Sequence, residues 1–128
     1  MNFQNRRTFY RIDFAGKVNV EIGDESYDCC QVENLSITGM YVAGNFKHMQ
    51  TDENCLISFV RDGDSKKVYM QASGKIVWGN DEGFGLQFTS MKSDHYQVLV
   101  TVLINNAKLP AVILSQIPEK CPFEISSM

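Results

Sequence analysis

The stretch from Val68 to Trp78 reads Val-Tyr-Met-Gln-Ala-Ser-Gly-Lys-Ile-Val-Trp and is the clearest regular pattern in this chain. Every second position from Val68 onward is apolar or small, and most positions between are polar. Because side chains alternate between the two faces of a strand, the pattern predicts a β-strand with one buried face. By the same parity, Trp78 is expected on the buried face with Ile76.

The flanking segments predict further short strands on both sides of this one. Asp62-Gly63-Asp64 is a turn that joins it to the strand before it, and another turn leads to the strand after it. The other predicted strands lie at 14–22, 27–33, 40–43, 55–61 and 84–88. About six short strands with Gly and Asp turns predict a mainly β fold, either a small antiparallel barrel or a sandwich.

The final third changes to helical spacing. Apolar residues at i, i+3, i+4 and i+7 between Tyr96 and Ala107 predict a helix, with Ser93 as its N-cap and Asp94 in its first turn. The β-branched residues of this segment leave a strand as the alternative. Prolines at 110, 118 and 122 predict an irregular tail, so we expect a domain at 1–106 and a tail at 107–128.

Composition restricts the function classes. The chain has 128 residues and a formal net charge of -3, which fits one globular domain and argues against general affinity for nucleic acid or acidic membranes. With no signal-like or membrane-spanning apolar run, we expect no membrane span and a cytoplasmic location. The four cysteines match no zinc spacing, so we expect buried reduced thiols and no metal site.

Three arginines form the only obvious basic cluster. Arg6, Arg7 and Arg11 lie on an N-terminal arm before the first strand, with no acidic residue between them. A guanidinium can bond the O6 and N7 edge of guanine, stack on a base or bind phosphate. The alternative is an ordinary surface cluster that pairs with nearby acidic residues: Asp13, Asp28 and Glu33.

A second polar motif lies at a turn between two predicted strands. Asn34 offers a donor and an acceptor, Ser36 offers a hydroxyl, and Gly39 permits positive φ or close approach of a ligand. The alternative is an Asx-type turn that ends a strand. Together, the arginine arm and this motif predict a site for a flat anion that is rich in acceptors, such as a guanine nucleotide.

An RxxxR pattern before the first strand, followed by NxSxxG at the turn after the second, resembles the PilZ family of bacterial cyclic di-GMP receptors. The stretch from Trp78 to Phe88 fits the same pattern, and the resemblance covers residues 4–106. It implies a six-stranded antiparallel β-barrel with a C-terminal α-helix and no catalytic activity.

The resemblance implies a cyclic di-GMP site in this sequence. Arg7 and Arg11 would bind guanine and phosphate, Asn34 a guanine, and Ser36 a phosphate or a base edge. Gly39 would allow close packing of the backbone beside the ligand.

Three further residues are candidates for stacking. Arg6 lies just before the motif. An arginine at this position is similar to the PilZ form that accepts an intercalated dimer, which implies two cyclic di-GMP molecules per site. Trp78 is a ligand contact if a bulge at Gly74 turns it outward, and a core residue otherwise. Tyr41 is a similar stacking candidate.

The expected function is a stand-alone, ligand-gated adaptor that signals through an unidentified protein partner and needs no cofactor other than the nucleotide. The alternatives are a PilZ-like interaction module that binds no nucleotide, a barrel for single-stranded nucleic acid, and an enzyme. The acidic balance disfavours the nucleic-acid barrel. No nucleophile–base pattern supports the enzyme.

Overall fold

The computed structural model describes residues 11–46, 50–116 and 123–126. This part of the chain forms eight strands and two helices. The strands are β1 (Ile12–Asp13), β2 (Lys17–Ile22), β3 (Glu25–Leu35), β4 (Gly39–Ala43), β5 (Asn54–Val60), β6 (Val68–Asn80), β7 (Gly83–Lys92) and β8 (Glu124–Ser126). The helices are α1 (Ser93–Asn106) and α2 (Pro110–Gln116).

Six of the strands form a closed antiparallel barrel. Neighbours pair in the order β3-β2-β5-β6-β7-β4, and pairing of β3 with β4 closes the circuit. The short strands β1 and β8 add to β3 and β7 outside this circuit. The predicted fold, a six-stranded barrel with a C-terminal helix, is confirmed.

The barrel is filled by the alternate residues of its strands and closed by one face of α1. Leu99 and Leu103, one helical turn apart, are both fully buried. The largest fully buried side chains are Phe59, Phe84, Leu35, Ile57, Met70, Ile76, Leu99, Leu103, Val18, Val20, Val32 and Val42. Alternate side chains of the strands and side chains one turn apart on the helix therefore face the same core.

The predicted helix is confirmed, but Ser93 is not its N-cap. The helix begins at Ser93, and its N-cap is Lys92, which makes no side-chain capping hydrogen bond. β7 runs directly into α1, so the boundary lies one residue earlier than predicted. Asp94 does lie in the first turn, where its carboxylate interacts favourably with the positive end of the helix dipole.

The prediction that residues 107–128 are irregular is wrong for the described part of that segment. Pro110 occupies the first position of α2, where its missing N–H costs no helical hydrogen bond. Ile113 of α2 is buried, and β8 pairs with β7 in parallel.

The described cysteines are free thiols: Cys29, Cys30 and Cys55. Burial raises the pKa of Cys55 to about 12 and that of Cys30 to about 11, so both stay protonated at neutral pH. Cys29 and Cys30 are only half-buried, whereas Cys55 lies in the core. The described residues contain no group of three metal-ligating side chains and no helix long and apolar enough to cross a membrane.

Candidate functional site

The candidate site begins where the arginine arm meets the barrel. Ile12 is 3% exposed and pairs with Leu35, and Asp13 pairs with Asn34. This buried anchor fixes the position of Arg11, which is exposed and whose Nη1 donates a long hydrogen bond of 3.5 Å to the Asn34 Oδ1. The structure therefore brings together one predicted residue from each motif. Arg6 and Arg7 lie outside the described residues.

The turn from Ser36 to Gly39 explains the serine and the glycine of the second motif. The Ser36 hydroxyl accepts hydrogen bonds from the amides of Thr38 (3.2 Å) and Gly39 (3.3 Å). Ser36 is 3% exposed, and its own amide donates to the Gly39 carbonyl at 2.9 Å. The turn is therefore held by the serine hydroxyl, whereas the alternative interpretation expected an Asx-type turn. A contact between Ser36 and a ligand stays a prediction.

Gly39 begins β4 in an extended conformation, packed against β7. A Cβ at this position would overlap the backbone carbonyl of Leu86. The Thr38 carbonyl also accepts a 2.8 Å hydrogen bond from the Phe88 amide. Gly39 is therefore required by the close approach of two strands, whereas a role beside a ligand stays a prediction.

Trp78 is not on the core face, as strict alternation predicted, but is 45% exposed. β6 changes register against β7 at two places, between Ser73 and Gly74 and between Ile76 and Trp78. After the first change Gly74 and Ile76 stay buried. The second change turns Trp78 outward, because a bulge reverses the parity of the residues that follow it.

A row of neighbouring residues crosses four strands of the barrel wall. Asn34 of β3 pairs with Tyr41 of β4, which pairs with Gly85 of β7, which pairs with Trp78 of β6. Paired residues on adjacent strands project side by side. The row thus continues from Arg11 and Asn34 to an aromatic end at Trp78.

Gly85 makes the aromatic end possible. Tyr41 and Trp78 are two strand spacings apart, about 10 Å, yet their ring centroids lie 5.2 Å apart at an interplanar angle of 20°. The rings meet over Gly85, where a Cβ would overlap the indole. The predicted stacking candidates Tyr41 and Trp78 thus contact each other, and Gly85 is the residue whose role the sequence did not reveal.

The Tyr41 phenol stays neutral at physiological pH. Partial burial and the nearby carboxylates of Glu33 and Glu82 raise its pKa. The hydroxyl is therefore available as a hydrogen-bond donor at the centre of the row. Glu33 and Glu82 thus add negative charge near Tyr41, whereas the guanidinium of Arg11 supplies positive charge beside Asn34.

Comparison with known proteins identifies the family of the chain and supports its fold. The model of the PilZ domain family matches residues 5–105, and the chain belongs to that family. PilZ domains are receptor and adaptor modules for cyclic di-GMP and are not enzymes. No curated protein matches the chain significantly.

Solved structures that share the fold include the following two. The inhibitor of motility MotI/DgrA of Bacillus subtilis superposes with a TM-score of 0.62 at 15% identity, over 78% of this chain and 50% of that one. This chain thus spans half the length of MotI/DgrA. The PilZ domain of CeSA from a cellulose-synthesizing bacterium gives a TM-score of 0.57 at 19% identity, over 75% of this chain and 96% of that one.

Proposed function

We propose that this PilZ domain is a receptor for cyclic di-GMP that changes its surface on binding and passes the signal to a protein partner. The row from Arg11 through Asn34 to the Tyr41–Trp78 stack is the observation that carries the proposal. It offers a guanidinium for phosphate or guanine, an amide for a base edge and an exposed aromatic surface for stacking.

Binding also supplies a cause for the surface change. Arg6, Arg7 and Arg11 carry like charges, and a ligand with two phosphates compensates them when they converge on it. A partner that prefers the liganded surface then shifts the equilibrium between the free and liganded conformations further, since it binds only one of the two.

The second candidate is a PilZ interaction module without nucleotide. It is favoured by the Ser36 hydroxyl, which is already engaged inside its turn.

Calorimetric titration separates the two candidates. We expect cyclic di-GMP to bind near micromolar affinity, about -8 kcal/mol, whereas GTP and cyclic di-AMP bind at least tenfold more weakly. Trp78 is the only tryptophan, so its fluorescence should change over the same concentration range. A folded protein that shows no heat and no fluorescence change with cyclic di-GMP would leave the interaction module as the function.

The ligand count tests the role of Arg6. We propose an intercalated pair of cyclic di-GMP molecules, stacked on the Arg6 guanidinium, and expect two ligands per chain. Arg6→Leu should reduce the count to one, because leucine offers neither the charge nor a plane to stack on. The matched variant Arg6→Lys keeps the charge without the plane and should also bind one. A count that is the same in all three proteins contradicts the stacking role.

A further inference from the structure

β8 occupies a strand edge that barrel closure leaves open. β4 pairs with β7 only as far as Gln87, while β7 continues to Lys92. In the segment Ser90–Lys92, called here the β7 edge, the main chain is paired by β8 in parallel register, with Ser90 opposite Glu124 and Lys92 opposite Ser126. The C-terminal segment is therefore an added strand on a barrel that is already complete.

One aromatic side chain holds this added strand. Phe123 packs edge-on against Phe88 of β7 and Tyr96 of α1, with both centroid distances at 5.8 Å. Two residues later, Ile125 is half-buried, while Glu124 is exposed. Main-chain pairing combined with pockets for alternate side chains is the way in which extended peptides dock on sheet edges.

The added strand can leave without opening the barrel. It has three residues, and its anchor Phe123 is only half-buried. The circuit of β2 to β7 closes through the pairing of β3 with β4, which β8 does not touch. Removing β8 and Phe123 would expose the β7 edge together with the parts of Phe88 and Tyr96 that Phe123 contacts.

We propose that the β7 edge is a docking site for an extended segment of a partner protein and that residues 123–126 occupy it in cis until such a segment displaces them. The cis occupant defines the chemistry of the partner, which is an aromatic residue followed two positions later by an aliphatic one, with a polar residue between. The site lies outside the nucleotide row and does not depend on nucleotide binding.

A partner protein fits this site better than a second copy of the chain. A tethered segment acts at an effective concentration of about 1 mM, so an identical segment of another copy at micromolar concentration gains nothing by exchange. A partner segment with better anchors, or one held nearby by other contacts, can compete.

Peptide binding followed by NMR tests the proposal on the full chain. The probe is the synthetic peptide Pro-Phe-Glu-Ile-Ser-Ser-Met, which matches residues 122–128, added to the isotope-labelled wild type and to Phe123→Ala. We expect the peptide to shift the amide resonances of the β7 edge in Phe123→Ala. The Kd from this titration should be at least tenfold lower than for the wild type, because the weakened cis strand no longer competes.

Two controls make the result specific. Leu114→Ala truncates a leucine of α2 that is 57% exposed, and this variant should bind the peptide as the wild type does. The peptide with alanine in place of its phenylalanine should not shift the β7 edge. Absence of shifts at the edge in a folded Phe123→Ala chain, or equal affinity for both chains, overturns the proposal. A wild-type dimer in sedimentation that Phe123→Ala abolishes also overturns it, in favour of a second copy.

Discussion

Arg11→Ala is expected to lower the affinity for cyclic di-GMP at least about 100-fold while leaving the barrel folded. Arg11 is exposed and contacts Asn34 at 3.5 Å, so its removal changes the fold little. A guanidinium that makes two charge-assisted hydrogen bonds to the ligand contributes about 3 kcal/mol, which corresponds to about two orders of magnitude in Kd. Calorimetric titration gives the affinity, and thermal unfolding verifies the fold.

Arg61→Ala is the matched control for this loss. Arg61 is also exposed, but it lies over the ring of Tyr69 at 4.6 Å, close to the turn between β5 and β6. Its removal changes the net charge equally, so we expect binding within about twofold of wild type at physiological salt. An equal loss in both variants would mean that general charge drives binding. Normal binding by Arg11→Ala would mean that the ligand site is elsewhere.

The strands and the helix could be predicted because their patterns are local. Alternation across Val68–Ile76 and the helical spacing from Tyr96 onward each bury one face of a single element. This periodicity alone could not distinguish a barrel from a sandwich. The difference lies in the pairing of β3 with β4, which depends on contacts between strands and not on the composition of either one.

The sequence left Trp78 open between a core position and an outward position produced by a bulge at Gly74, because the choice depends on a neighbouring strand. The alternation of its own strand placed it in the core. The register change after Ile76 is visible only in the pairing of β6 with β7, and the space for the indole comes from Gly85. β8 escaped prediction for a different reason, since three residues are too few to show a period.

The second motif was located correctly, but its serine has a structural use that the spacing does not reveal. Asn34 and Ser36 are two positions apart and would share a face in an extended strand. The strand ends at Leu35, and the Ser36 hydroxyl turns to the amides of its own turn. Ser36 orders the turn that follows Asn34, so we expect it to affect the proposed site through the position of the backbone, with or without a direct ligand contact.

Gly39→Ala is expected to destabilise the fold by about 3 kcal/mol and to lower the melting temperature by about 10 °C. The added methyl group would overlap the Leu86 carbonyl, which is backbone and cannot move aside as a side chain can. β4 must then separate from β7, which breaks one of the strand pairings of the barrel. Chemical denaturation followed by circular dichroism measures the loss in the free energy of unfolding.

Gly63→Asn is the matched control, because it adds a side chain to a glycine that has room for it. Gly63 has a φ of +66°, and a Cβ there would meet no atom within 4 Å. Asparagine tolerates this left-handed conformation, so the free energy of unfolding should stay within about 0.5 kcal/mol. Gly39→Ala with wild-type stability but weakened nucleotide binding would contradict the packing role. It would instead make Gly39 the point where the backbone approaches the ligand, since only a contact made in the complex can lower affinity without lowering stability.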